Sequence, residues 1–298
     1  MTKPRRTLSA RLEALGHWFF YVALRVFGQR GGYLLLYPVI GTYLLFGRGI
    51  HRQTRPYLRR RFPGHGAWAR WVDTMKIVLS FGRVLVDRGW LGMCRGVGLD
   101  GELIGARELL DLIGEGKGVV LLTAHVGNWQ TALSRINDLS VPINSLMHYE
   151  EEAVAKHYFD LRNEPVPFRI IKSDGFMGGL VEATVALQRG EVVTIMGDRY
   201  TGGPAVEADF LGDPVRFPAA AYSLASATGA PVAILLAAKT GRRRYRLEVR
   251  AIFRPEGGDR DRRREEMNRG VRCFARVLEE YVGEYPQQWY NFFDFWHR

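Results

Sequence analysis

Apolar positions along the chain fall into three regimes. Between residues 17 and 46 they run almost unbroken, as two blocks at 17–27 and 32–46 divided around Arg25, Gln29 and Arg30. Between 66 and 95, Trp68, Trp71, Met75, Val78 and Leu79 recur near the helical period, which predicts a helix with this stripe in the core. From about 98 to 255, short apolar runs alternate with amphipathic stretches. Strands are predicted at 119–123, 143–147, 170–172, 192–196, 232–238 and 244–253, and helices at 129–136, 153–162, 179–188 and 219–227. Residues 208–218 read as a hairpin turning at Gly212-Asp213-Pro214, with Pro218 leading into the next helix. A long surface helix of mixed charge opens at Arg260 and reaches about Val282, and an aromatic tail, 289–296, follows. Strands alternating with helices argue for an α/β fold with a mostly parallel sheet covered by helices.

Charge changes the picture at one end only. The 298 residues carry a net charge of +11, and residues 1–61 hold twelve Lys and Arg against a single acid, Glu13. That leader accounts for the whole excess, so 62–298 is neutral. The expected organisation is therefore a basic, apolar, membrane-associating segment at 1–61 and a catalytic domain at 62–298. The longest uncharged run, 31–47, is at the lower limit for a spanning helix, which needs roughly 20 apolar residues. A helix lying in the membrane interface is the favoured reading; a single span and soluble core helices are the alternatives. No small-residue cleavage site follows the apolar stretch, which argues against a signal peptide. Basic flanks favour a leaflet with anionic lipid. A nucleic-acid role rests on basicity alone, and no nucleic-acid motif is present. Cys94 and Cys273 lie far apart, match no metal or redox spacing, and read as reduced buried thiols.

Two strand ends carry candidate chemistry. His125 follows the strand at 119–123, and Gly127 and Asn128 break that strand before the next helix. Open α/β sheets place their sites at the C-terminal ends of strands. A histidine there can serve as a base near neutral pH. Gln130 lies about one helical turn beyond it. The second cluster, Gly197-Asp198-Arg199-Tyr200, follows the strand at 192–196 and can share the same crevice. The planar fork of Arg199 suits a phosphate, and Asp198 can pair with it as a structural turn.

These pieces, in this order, resemble the bacterial lipid A biosynthesis acyltransferases, the branch of the lysophospholipid acyltransferase superfamily that uses acyl-carrier-protein donors. The matching positions are Thr123-Ala124-His125-Val126-Gly127-Asn128-Trp129, Met196-Gly197-Asp198-Arg199, Phe210 to Pro218, Thr228 to Val232 and Gln288-Trp289-Tyr290-Asn291-Phe292, so the resemblance covers nearly the whole chain. It implies an αβα-layered domain on the cytoplasmic face of the inner membrane. It implies O-acylation of a glycolipid such as a lipid A precursor, with no metal and no cofactor beyond an acyl-carrier-protein or coenzyme A thioester as co-substrate. The implied partners are an acyl-carrier protein, anionic membrane lipid and the glycolipid acceptor.

Acyl transfer to a hydroxyl needs a base, oxyanion donors and an apolar slot. His125 is the expected base, with Gln130 as its catalytic neighbour. The amides of the Gly127-Asn128 turn and the Asn128 side chain are candidate oxyanion donors. Trp129, Asp198, Arg199 and Arg216 complete the polar substrate-binding candidates. Phe210 and Phe217 either line the acyl slot or belong to ordinary core. The family pattern has Glu or Asp where this chain has Gln130. Three arrangements are open: Gln130 orients His125 as a neutral group; another carboxylate, Asp198, Glu150 or Asp294, reaches the imidazole; or the chain is an impaired, lipid- or carrier-binding homologue. The acceptor is open too, among lysophospholipid, mannoside-like glycolipid, ornithine lipid and polyene lipid.

Overall fold

The computed structural model describes residues 8–94, 99–128, 141–148, 168–173, 176–200 and 202–297. The predicted helices at 129–136 and 153–162 lie outside them, as do Trp129, Gln130 and Glu150. Three helices come first: α1 (Leu8–Phe46), α2 (Arg48–Arg61) and α3 (Ala67–Cys94). α1 kinks at Gly28, whose backbone (φ 63°, ψ −164°) leaves the helical path between the two apolar blocks. Leu24, Leu36 and Ile40 of α1, Ile50 of α2 and Val86 of α3 form one cluster, with Trp71, Met75, Val78 and Leu79 packed against it. Trp68 departs from the predicted stripe. It sits in the first turn of α3, 74 % exposed, with its ring stacked on Trp71.

The α/β body follows: β1 (Asp100–Ile104), α4 (Ala106–Gly114), β2 (Val119–Thr123), β3 (Ile143–Met147), β4 (Arg169–Lys172), a short 3₁₀ turn, α5 (Leu180–Gln188) and β5 (Val192–Met196). Then come the hairpin β6 (Ala205–Phe210) and β7 (Asp213–Pro218), α6 (Ala220–Thr228), β8 (Val232–Lys239), β9 (Arg244–Phe253) and α7 (Arg260–Glu284). Seven strands make one sheet in the order β1-β9-β8-β2-β5-β3-β4, and β8–β9 is its antiparallel pair. Side chains alternate across it. Val120, Leu122, Ile234 and Leu236 enter the core shared with α5, α6 and α7, while Val119, Leu121, Ala233 and Leu235 enter a second core with Leu109, Leu112 and Ile113 of α4. Both faces are therefore covered, as a parallel sheet requires, and the architecture is αβα-layered, mixed and mostly parallel.

The hairpin turns one step earlier than its sequence suggests. Phe210 pairs with Asp213, so the loop is Leu211-Gly212, both at positive φ (52° and 86°). Such two-residue loops match the twist of the flanking strands, and Asp213 and Pro214 are consequently strand residues. Asp259 caps α7, its side chain accepting from the Arg262 N–H at 2.9 Å. Among the described residues no helix is long and apolar enough to cross a membrane. Phe19, Tyr21, Val26, Phe27, Leu34, Tyr37 and Val39 of α1 are nevertheless exposed, an apolar surface beyond what an ordinary helix face leaves bare.

Candidate active site

β2 and β5 are neighbouring parallel strands, with Thr123 opposite Met196. Two residues past each of them stand His125 and Asp198. Asp198 is fully buried and holds three donors: His125 Nδ1 on Oδ1 at 2.8 Å, the His125 backbone N–H on Oδ2 at 2.8 Å, and Trp289 Nε1 on Oδ2 at 2.9 Å. Burial by itself would raise the Asp198 pKa. The neighbouring imidazole and the hydrogen bonds from His125 and Trp289 outweigh burial and hold the carboxyl below its ordinary range. An ionised carboxylate only accepts, so Nδ1 carries the proton and the Nε2 lone pair faces away from Asp198. The His125 side chain is 22 % exposed, enough to leave one ring edge open.

The loop after His125 is pinned from two sides. The Tyr290 N–H donates to the His125 carbonyl at 2.8 Å, the Gly127 N–H donates to the Gln288 carbonyl at 2.9 Å, and Val126 bridges Trp289. Gly127 sits at φ +58°, and a Cβ there would stand 2.2 Å from the Ala237 carbonyl oxygen of β8, so only glycine fits. Asn128 is buried next to the Tyr245 hydroxyl. Tyr245 in turn donates to Asp87, which also takes Gln29 Nε2 and the Tyr33 hydroxyl, each at 2.6 Å, and Lys239 Nζ. This buried network joins α1, α3, β8 and β9 beneath the loop.

The sequence-derived candidates separate accordingly. His125, Gly127, Asn128, Asp198 and Arg199 come together. Arg199 is exposed beside the pair and donates to the Tyr290 carbonyl at 3.3 Å. The Gly127 amide is already engaged by Gln288, which removes it from the oxyanion donors. Phe210 and Phe217 have no exposed surface; they pack edge to face at 5.9 Å, and Phe210 lies 5.2 Å from Trp289. They are core beneath Asp198 and not walls of a slot, because successive inward positions of a hairpin bury what the alternation places inside. Arg216 lies on the outer face of that hairpin, opposite Glu207. Asp294 caps the Trp296 N–H at 3.1 Å and is exposed. Trp289, Gln288 and Tyr245 went unassigned in the sequence reading. Asp87, an acid inside the apolar run of α3, was the one visible signal of the buried network.

A profile of the bacterial lipid A biosynthesis acyltransferases matches residues 12–298. The chain belongs to that family. It is also similar to the phosphatidylinositol mannoside acyltransferase of Mycobacterium tuberculosis, in two strains, at 30 % identity over 135 residues, 43 % of this chain and 42 % of each relative. The match thus spans less than half the length of those relatives. The strand-end histidine of this chain meets its buried carboxylate partner just past β5. Among the described residues no cluster of His, Cys, Asp and Glu is arranged to hold a metal.

Proposed function

We propose that this protein moves a fatty acyl group from a carrier-protein thioester to a hydroxyl of a membrane glycolipid. The observation that carries the reading is the His125–Asp198 pair, 2.8 Å apart at the tips of adjacent strands with one imidazole edge open. His125 Nε2 takes the proton of the acceptor hydroxyl as its oxygen attacks the thioester carbonyl. The tetrahedral oxyanion is met by the Asn128 amide, buried in the turn that follows His125. Collapse breaks the C–S bond, and the imidazolium returns its proton to the leaving sulfur. Asp198 fixes the tautomer and stabilises the imidazolium without itself being protonated, as the carboxylate does in the serine-protease triad.

Arg199, exposed beside the pair, suits a phosphate of the donor arm or of the acceptor. Lipid A precursors and phosphatidylinositol mannosides both present sugar hydroxyls on an anionic lipid, and either fits this reading. The exposed apolar residues of α1 and the basic leader favour work at the cytoplasmic face of the inner membrane.

The test is mass spectrometry of total lipid from a host lacking the gene, complemented with wild type or with His125→Ala. One lipid species gaining an acyl chain with wild type and not with the variant is the expected result. Identical lipids in the two complemented strains, both differing from the null, would remove His125 as base and leave a binding role.

A further inference from the structure

Asn291 is 4 % exposed, and both ends of its carboxamide, Oδ1 and Nδ2, are buried without a hydrogen-bond partner. A primary amide can donate twice and accept twice. Leaving all of that unmet in the interior is strongly unfavourable, and such groups are rare in natural proteins.

Its position is fixed by the segment before it. Trp289 donates to Asp198, and Tyr290 binds the His125 carbonyl through its N–H and receives Arg199 on its own carbonyl. Tyr290 and Phe292 both pack on Phe81 of α3, at 5.1 and 5.2 Å, whereas Trp289 turns to Asp198. Asn291 follows directly, one residue past the backbone that binds both His125 and Arg199.

We propose that Asn291 is a substrate-binding residue of the His125 site, its amide taking a polar substrate group that both gives and accepts a hydrogen bond. Two groups have that chemistry here: a hydroxyl of the acceptor next to the one acylated, and an amide of the pantetheine arm of the donor. The inference rests on the acyl-transfer reading above. It adds a residue to which that reading assigns no part.

Asn291→Leu is nearly isosteric and removes only the polar atoms; Asn291→Ala cannot overpack. Each is expressed in the null host beside wild type and His125→Ala, with lipid product by mass spectrometry and thermal midpoint of the purified protein as readouts. Asn291→Leu should melt within about 2 °C of wild type or above it, since no bond is lost, while the acylated lipid falls about tenfold or more. Should Leu overpack, the same loss of product in a folded Asn291→Ala supports the proposal equally. Wild-type product from either folded variant overturns it. So does a midpoint lowered by more than about 5 °C in both, which would make the amide structural. Hydrolysis of lauroyl-CoA without acceptor separates the two sources: it survives in the variants if the amide binds the acceptor hydroxyl, and is lost with the lipid product if it binds the donor arm. Loss of product in His125→Ala alongside a fully active Asn291→Leu sinks this inference and leaves the parent reading standing; an active His125→Ala sinks the parent.

Discussion

His125 and Asp198 stand 2.8 Å apart because Thr123 and Met196, two residues before each, are partners in the register of β2 and β5. The pair is therefore a product of strand adjacency. Of the carboxylates the sequence offered to the imidazole, Asp198 is the one that the described residues bring to it.

Asp198→Asn should keep the fold and cost activity heavily. The amide can still face the ring, but it supplies no negative charge and permits the wrong tautomer; the equivalent change in the serine-protease triad costs about 10⁴ in rate. Initial rates of lipid acylation for the variant, beside its circular dichroism, check this. A rate within about threefold of wild type would remove Asp198 from the mechanism.

The same residue sets an acid limb of stability. Its folded pKa lies below the ordinary value, so its contribution is fully present above the unfolded pKa of about 3.9 and is lost as pH falls through the folded one. Denaturation midpoints of wild type and Asp198→Asn should differ most above about pH 4 and converge below it. A difference that stays constant across that range would contradict the linkage.

Breaking the buried ion pair on one side should be costly. Asp87 and the Lys239 side chain are 0 % and 9 % exposed, so Asp87→Ala strands an ammonium and two hydroxyls and should cost about 3–5 kcal/mol. Replacing both partners, as Asp87→Leu with Lys239→Met, should cost clearly less than the sum of the single changes. Urea titrations of the four proteins close this cycle.

Membrane association is best probed without deleting α1. Gln29 and Tyr33 anchor that helix to Asp87, and Leu24, Leu36 and Ile40 pack in its cluster, so truncation would damage the fold. Phe27→Glu with Leu34→Glu touches exposed positions only. The fraction bound to phosphatidylglycerol vesicles should drop several-fold while the thermal midpoint moves by less than about 2 °C. Unchanged vesicle binding would show that α1 is not the contact.

Much of the fold was legible because its signals are local. β2, β5 and β8 announce themselves as short apolar runs, α3 by the spacing of Trp71, Met75 and Val78, and α7 by the long mixed-charge run that opens at Arg260. The exceptions were also local conflicts decided from outside. Trp68 obeys the helical period of α3 yet lies in its first turn, outside the cluster of the three helices. Phe210 and Phe217 carry the same apolar signal whether they line a slot or fill a core, and only their neighbours Trp289 and Phe295 distinguish the two.

The sequence by itself determined the α/β class and the position of His125 at a strand tip, since each depends on residues within a few positions of one another. Only the tertiary structure decided which carboxylate meets the imidazole. Asp198 is 73 residues from His125, parallel strands pair only through long crossovers, and no local pattern states that β5 lies beside β2. The same holds for the tail at 288–291. Its contacts with Gly127, His125 and Asp198 exist because the end of the chain is laid across the tips of β2 and β5, and burial there turns an unremarkable Asn291 into an amide that needs a partner.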